Sequence, residues 1–167
     1  MAKKRVQDQF SPSAADYVSS AVHARGASLE RIRALAAAGP GTRVLDVATG
    51  GGHTAKALAT EGATVTGLDA TAAMLAAARG QARMLTAAGL LSWVLADSQH
   101  LPFAAATFDL VVCRLAAHHF ADISAFLAES RRVLVEGGRV IVADNFVPGS
   151  HRRGKSAEQQ RQAGRFI

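Results

Sequence analysis

Residues Arg43–Ala55 read RVLDVATGGGHTA. Val44, Leu45 and Val47 form a short apolar run suited to a buried strand, with Asp46 near its end. Ala48, Thr49, Gly50, Gly51 and Gly52 follow without a bulky side chain. Glycine there lets the backbone turn sharply and lets a ligand approach the main chain. Thr54 to Ala59 then reads as the first turns of a helix. A strand, a tight glycine loop and a helix N-terminus expose unpaired N–H groups, which suit the anionic part of a ligand.

The sequence repeats this alternation on both sides. Thr64–Leu68 reads as a second strand ending in Asp69, and Thr71 is placed to cap a long helix through Ala88, interrupted at Gly80 and closed by Gly89. Leu91–Ala96 is a third strand, ending in Asp97. Phe108–Cys113 is a fourth, continuing into Arg114 and a loop over Ala116–Phe120. Ile123, Phe126, Leu127, Arg131 and Leu134 mark a helix stopped by Gly137-Gly138, and Val140–Ala143 is a fifth strand leading into Asp144-Asn145. Upstream, Phe10, Ala14, Tyr17, Val18 and Ala21 recur at helical spacing behind Ser11 and Pro12. Leu29, Ile32, Leu35 and Ala36 make a second amphipathic helix, with Ser28 as its candidate cap and Gly39-Pro40-Gly41 as its stop. Strands alternating with helices in this way predict an α/β fold, a parallel sheet with helices on both faces.

Length and composition fit one globular domain. The chain has 167 residues, 49% of them apolar and 19% charged, enough for a core and too apolar for a disordered chain. The single cysteine, Cys113, lies in an apolar run, which excludes a disulfide framework and points to a reduced compartment, the cytoplasm. No apolar run approaches the ~20 residues of a membrane span. The N-terminus MAKKRVQDQF is charged but lacks the apolar stretch of a secretory signal. The net charge of +6 resides in the ends: Lys3, Lys4 and Arg5 supply +3 and residues 151–167 supply +4, which leaves the body at −1. A specific nucleic-acid module carries its basic face on the body, so that class is set aside.

In open parallel sheets ligands bind beyond the carboxyl ends of the strands. Asp46, Asp69 and Asp97 reach that rim from three different strands, which favours one shared ligand site over three separate turn residues. Asp69 follows Gly50 by nineteen positions, where a carboxylate can accept hydrogen bonds from both hydroxyls of a ribose. Gly50-x-Gly52-x-x-Ala55 also satisfies the G-x-G-x-x-A dinucleotide fingerprint. On these residues alone a nicotinamide-dependent oxidoreductase stays open.

Five stretches together resemble the class I S-adenosylmethionine-dependent methyltransferases, and most of all their ubiquinone/menaquinone-biosynthesis type. They are VLDVATGGG, VTGLDAT, VLADSQHLPF, FDLVVCRLAAHHF and LVEGGRVIVADN, in the family's order and spacing. The resemblance implies a Rossmann-like doubly wound parallel sheet, here of five strands, lacking the last two strands of the seven-stranded family fold. It implies S-adenosylmethionine as cofactor and a small-molecule methyl acceptor, a quinone or other lipid-like ring among the candidates. Residues Ala48, Thr49, Gly50 and Gly52 would line the methionine end, with Asp46 helping to hold its ammonium. Asp69 would hold the ribose, Ala70 would pack beside the adenine, and Asp97 and the Ser98 N–H would meet the adenine edge. Arg114 would continue the wall near the sulfonium. Tyr17 would serve as a lid or, equally, as an aromatic anchor for its helix.

Methyl transfer from a sulfonium needs orientation and exclusion of water more than a fixed catalytic group. Where the acceptor must lose a proton, a base is required. His118 and His119 follow the fourth strand and are the candidates, with at most one expected to reach the acceptor and ordinary loop hydrogen bonding as the blander reading. No cysteine or carboxylate with ligand spacing accompanies them, so no metal site is expected. His53 and His100 read as loop residues, and Arg131-Arg132 as the solvated face of a helix.

The domain is expected over residues 10–148, between a basic tail at 1–9 and a second at 149–167. The latter, GSHRRGKSAEQQRQAGRFI, has no strand pattern and reads as a disordered tail. A truncated, frameshifted or partial product would end this way, and a cofactor-binding remnant without turnover is therefore an alternative to an active enzyme. Without further strands the fifth strand becomes an apolar edge, which predicts dimerisation or aggregation through it.

Overall fold

The computed structural model describes residues 26–145. Helix α1 covers Ala27–Ala36, strand β1 Arg43–Val47, α2 His53–Thr60 and β2 Thr64–Asp69. Two helices follow, α3 at Ala72–Gln81 and α4 at Arg83–Ala87, and then β3 at Leu91–Leu95 and β4 at Phe108–Arg114. A single 3₁₀ turn, Ala117–His119, leads to α5 at Ile123–Val133, and β5 spans Leu134–Ala143.

The five strands form one sheet in the order β3-β2-β1-β4-β5, and every neighbouring pair is parallel. Side chains on a strand alternate between faces, and the two apolar clusters follow that parity. Val44, Val65, Leu110, Val112 and Ile141 meet Ile32 and Ala36 of α1 and Ala55, Leu58 and Ala59 of α2. Leu45, Val47, Leu68, Val111 and Cys113 meet Phe126 and Val133 of α5 on the opposite face. Near-continuous burial of β1 and β4 is what a sheet covered on both faces requires. Chain progression runs outward from β1 in one direction through β2 and β3, and outward from β4 through β5. The crevice between the carboxyl ends of β1 and β4 is thus the switch point, where ligands bind in such sheets.

Three local expectations are corrected. The long helix over 71–88 is broken at Ala82 rather than at Gly80, because Ala82 leaves helical geometry (φ −122°, ψ 27°) and turns its methyl into the core. Gly137-Gly138 does not separate α5 from β5. The helix has already ended at Val133, and both glycines lie within β5 at a shift in register where Phe108 faces Leu134 but Leu110 faces Arg139. Ser28 does not cap α1: Gly26 holds that position, and Ser28 sits in the first turn, with its hydroxyl directed to the sheet. The helix expected around Tyr17 and both basic tails lie outside the described residues. Among the described residues no helix is long and apolar enough to cross a membrane.

Candidate functional site

The glycine loop is held from behind by two buried carboxylates. Asp46 is 1% exposed, and its Oδ2 accepts from the Thr49 hydroxyl at 2.6 Å and from the Ala55 N–H at 3.0 Å. Ala55 belongs to the first turn of α2, whose N-cap Gly52 has no side chain to satisfy the free N–H groups there. Asp46 supplies that cap from the neighbouring strand. Burial raises its carboxyl pKa to about 7, against the opposing hydrogen bonds of Thr49 and Ala55 and the charge of Arg114.

Asp69 closes the loop from β2. Its Oδ2 accepts from the Gly50 N–H and its Oδ1 from the Thr71 N–H, both at 2.8 Å, and the residue is 8% exposed. Burial pushes this carboxyl up too, while those N–H groups pull it back. The Thr49 N–H donates to Leu68 O at 2.9 Å, a third tie between loop and β2. Ala48 adopts a positive φ of 56° without being glycine, a strained conformation at the point where β1 enters the loop. Gly52 is obligatory on two counts. Its φ is 78°, and a Cβ there would lie 2.6 Å from Trp93 Cη2 and 2.9 Å from Ala78 Cβ.

Asp97 lies on the same rim but is more open. Its Oδ1 accepts from the Gln99 N–H at 2.9 Å, and its neighbour Ser98 is buried. Burial alone would raise the Asp97 carboxyl, but the Gln99 hydrogen bonds and the nearby His100 outweigh it and hold the group below its ordinary value. The Gln99 side chain reaches across to accept from the Asp122 N–H at 2.8 Å, and Asp122 in turn caps α5 through Ser124 and Ala125. The loop after β3 is therefore fastened to the helix before β5.

On the β4 side, Arg114 is 9% exposed and shares the sheet face of Asp46. Its Nε donates to the Ser28 hydroxyl at 2.9 Å, which ties α1 to the site. Burial lowers the Arg114 pKa and the charge of Asp46 raises it. Leu115 follows with a positive φ of 55°, and the 3₁₀ turn then presents His118 and His119. The two imidazoles lie 3.9 Å apart between centroids. His118 is engaged twice by one carboxylate at the end of β5: its N–H donates to Asp144 Oδ2 at 2.8 Å, and its Nδ1 lies 2.7 Å from Asp144 Oδ1. Burial and the charge of His118 lower the His119 pKa, against the pull of Asp144.

The sequence reading gave Asp144 no role. The signal was the position after β5, since the pairing of Arg114 with Ala143 brings the residues just beyond both strands to one edge. Arg132 is exposed, as the solvated-face reading has it, but it also bonds across to a neighbouring segment. It donates to Phe103 O at 2.7 Å, Leu101 O at 2.9 Å and the Glu129 carboxylate, while Glu129 accepts from the Leu101 N–H. The pair fastens the segment 101–103 beneath the rim, and the Arg132 hydrogen bond holds the Glu129 carboxyl at about 2. Among the described residues no group of three His, Cys, Asp or Glu is placed to hold a metal ion.

Residues 45–142 match a family described as "Methyltransferase domain". The chain is 34% identical over 139 residues to an uncharacterised methyltransferase, YcgJ, of Bacillus subtilis, covering 83% of this chain and 54% of that protein. The crystal structure of YcgJ superposes with a TM-score of 0.68 at 33% identity, over 74% of this chain and 52% of the other. The ubiquinone/menaquinone biosynthesis C-methyltransferase UbiE of Ralstonia pickettii is 39% identical over 115 residues, 66% of this chain and 46% of that one. The chain thus spans about half the length of these relatives.

Proposed function

The chain belongs to the methyltransferase-domain family, and from that premise we propose that it binds S-adenosylmethionine at the carboxyl rim of its sheet and transfers the methyl group to a small-molecule acceptor. The observation that carries this reading is the hydrogen bond from the Ala55 N–H to Asp46. Dinucleotide sites use a helix N-terminus after the glycine loop to hold a pyrophosphate. Here an acceptor already occupies that N-terminus, and it is the protein's own Asp46 side chain. A ligand without phosphate, carrying an ammonium and a sulfonium, suits such a loop.

In this reading Ala48, Thr49, Gly50 and Gly52 present their main chain to the methionine portion, and Asp46 acts mainly by fixing them. Asp69 accepts the ribose hydroxyls. The Gly50, Thr71 and Ala70 N–H groups hold its carboxylate in place, and the Thr71 hydroxyl is a rotatable donor that a ligand hydroxyl replaces. Ala70, Asp97 and Ser98 line the adenine, and Arg114 closes the wall toward β4. S-adenosylmethionine brings a methyl group on a good leaving group, so the protein's work is alignment and exclusion of water. The UbiE relative is named a C-methyltransferase of ubiquinone/menaquinone biosynthesis, and by that likeness the acceptor is read as a quinone or lipid-like ring. The unpaired, buried Cys113 accords with a cytoplasmic setting. Residues 10–148 are read as one domain, and β5, hydrogen-bonded only to β4 among the described residues, as an edge that pairs with a second copy. Light scattering that finds a monomer at every concentration would remove the dimer.

Calorimetric titration of the full chain with S-adenosylmethionine, S-adenosylhomocysteine and NAD tests the central reading. Binding of the first two and not the third is expected, and binding of NAD alone would overturn it. Asp69→Ala should weaken S-adenosylhomocysteine at least tenfold, as expected for loss of hydrogen bonds to a charged acceptor. An unchanged affinity removes Asp69 from the site.

A further inference from the structure

We propose that His118 and Asp144 form a proton-accepting pair, and that the acceptor is a weakly acidic hydroxyl compound, a phenol or enol, whose O–H proton His118 removes. This rests on the methyltransferase reading above and names the acceptor chemistry of that same rim.

The geometry has three parts. First, Asp144 grips His118 at two points, the main-chain N–H at 2.8 Å and the ring Nδ1 at 2.7 Å. A carboxylate that accepts at Nδ1 places the ring proton there and leaves a lone pair on Nε2, the form of histidine that takes a proton. Second, the His118 side chain is 41% exposed while that of Asp144 is 17% exposed. The ring is open to solvent and the group that orients it is covered. Third, the pair sits beyond β4 and β5, across β1 from the Asp69 and Asp97 loops. Ligand arms on the two sides of the switch point would meet over the ends of β1 and β4. His119, tilted at 47° with its centroid 3.9 Å away and biased toward its neutral form by burial, restricts the His118 ring without adding a competing charge.

The choice of acceptor follows from what a histidine base is useful for. A neutral amine attacks with its own lone pair and sheds its proton afterwards. A phenol, with an ordinary pKa of about 10, is a poor nucleophile until its proton is taken, and general-base assistance then matters. The O–H electron pair stays on the acceptor as the proton passes to His118 Nε2. The acceptor oxygen, or the ring carbon conjugated to it, forms the bond to the methyl carbon. The methyl–sulfur bond breaks, and its pair returns to sulfur as the neutral thioether. In the carbon case the displaced ring hydrogen leaves to water as a proton, and the imidazolium returns its own to the oxygen. Asp144 is a positioning residue in either case, facing the imidazolium that forms.

The test uses the full chain, methyl-labelled S-adenosylmethionine, and a panel of quinols, catechols, a nitrophenol already ionised at the assay pH, and primary amines. Label is expected on the hydroxyl compounds, and its position on oxygen or ring carbon separates the two modes. His118→Gln should lower kcat for the un-ionised phenols about 10²- to 10⁴-fold, with S-adenosylhomocysteine affinity unchanged. For the ionised nitrophenol, which needs no base, the loss should shrink to less than about tenfold. Asp144→Asn should act in the same direction, between about 10- and 10⁴-fold. An equal loss with both kinds of phenol means a structural tie only and overturns the proposal, as does label confined to amines. The nitrogen resonances of His118 decide the pair without turnover: an Nδ1–H tautomer that Asp144→Asn abolishes is expected, and an Nε2–H tautomer overturns it. Failure of the methyltransferase reading would appear separately, as absence of calorimetric binding of S-adenosylhomocysteine.

Discussion

The two sides of the switch point are built on different principles. On the β1–β2 side, Asp46 and Asp69 are buried and spend their oxygens on loop N–H and hydroxyl groups, so the glycine loop is fixed before any ligand arrives. On the β4–β5 side, His118, on a short 3₁₀ turn entered through the strained Leu115, pairs with Asp144 beyond β5 at a half-open rim. Burial makes the first side rigid and sensitive to loss of a single acceptor. Exposure makes the second side tolerant in stability while leaving its chemistry free to act. The buried loop acceptors Asp46 and Asp69 therefore carry the stability of this rim, and the half-exposed His118–Asp144 pair contributes little to it.

The largest expected effect is at Asp46. Asp46→Ala would strand the Ala55 N–H and the Thr49 hydroxyl in the interior, a cost of about 2–5 kcal/mol in unfolding free energy. Chemical denaturation measures it, and a change below about 1 kcal/mol would show that the loop is held otherwise. The same residue predicts a pH dependence. Its carboxyl titrates near 7 when folded, against an ordinary value of 3.8. Between those values the folded chain holds the proton more tightly, so the Asp46 contribution to stability falls as pH rises from about 4 to about 7 and is level above. Asp46→Asn retains an acceptor and removes the titration. The difference between wild type and this variant in Tm should change across that window, and a constant difference contradicts the assignment.

Two glycines with similar positive φ separate the effect of strain from that of space. Gly52 has φ 78° and a Cβ there would meet Trp93 at 2.6 Å; Gly137 has φ 76° with nothing within 4 Å. Gly137→Ala should cost about 1–2 kcal/mol, the penalty for a left-handed residue with a side chain. Gly52→Ala adds an overpacking penalty of a further 1–3 kcal/mol or so, and should also displace the indole and shift Trp93 fluorescence. Equal costs at both positions would mean that the loop yields without strain.

What the sequence made legible is the part that local pattern determines. Val44-Leu45-Asp46-Val47 and the three glycines after it specify strand, turn and helix start within a dozen positions, so the glycine loop and the parallel sheet were readable. Residues whose role depends on a partner far along the chain were not. Asp144 acquires its meaning only when β5 is paired beside β4 in register. Ser28 resembles a cap until Arg114 is seen donating to it, and Arg132 resembles a surface charge until the Leu101 and Phe103 carbonyls come within reach. Gly137-Gly138 reads as a helix stop because a register shift inside a strand leaves the same mark in sequence.

The smallest expected effect closes the comparison. The His118–Asp144 tie is half-exposed, so His118→Gln should change unfolding free energy by about 1 kcal/mol or less, well under the loss at Asp46. The Asp144 carboxylate keeps the His118 main-chain N–H as a partner in the variant, and water replaces the ring nitrogen. A destabilisation as large as that of Asp46→Ala would mean the imidazole is a structural keystone between β4 and β5. The contrast between a rigid binding side and a permissive chemical side would then fail. A small change in stability together with a large loss of transfer to un-ionised phenols would place the two functions on opposite sides of the switch point.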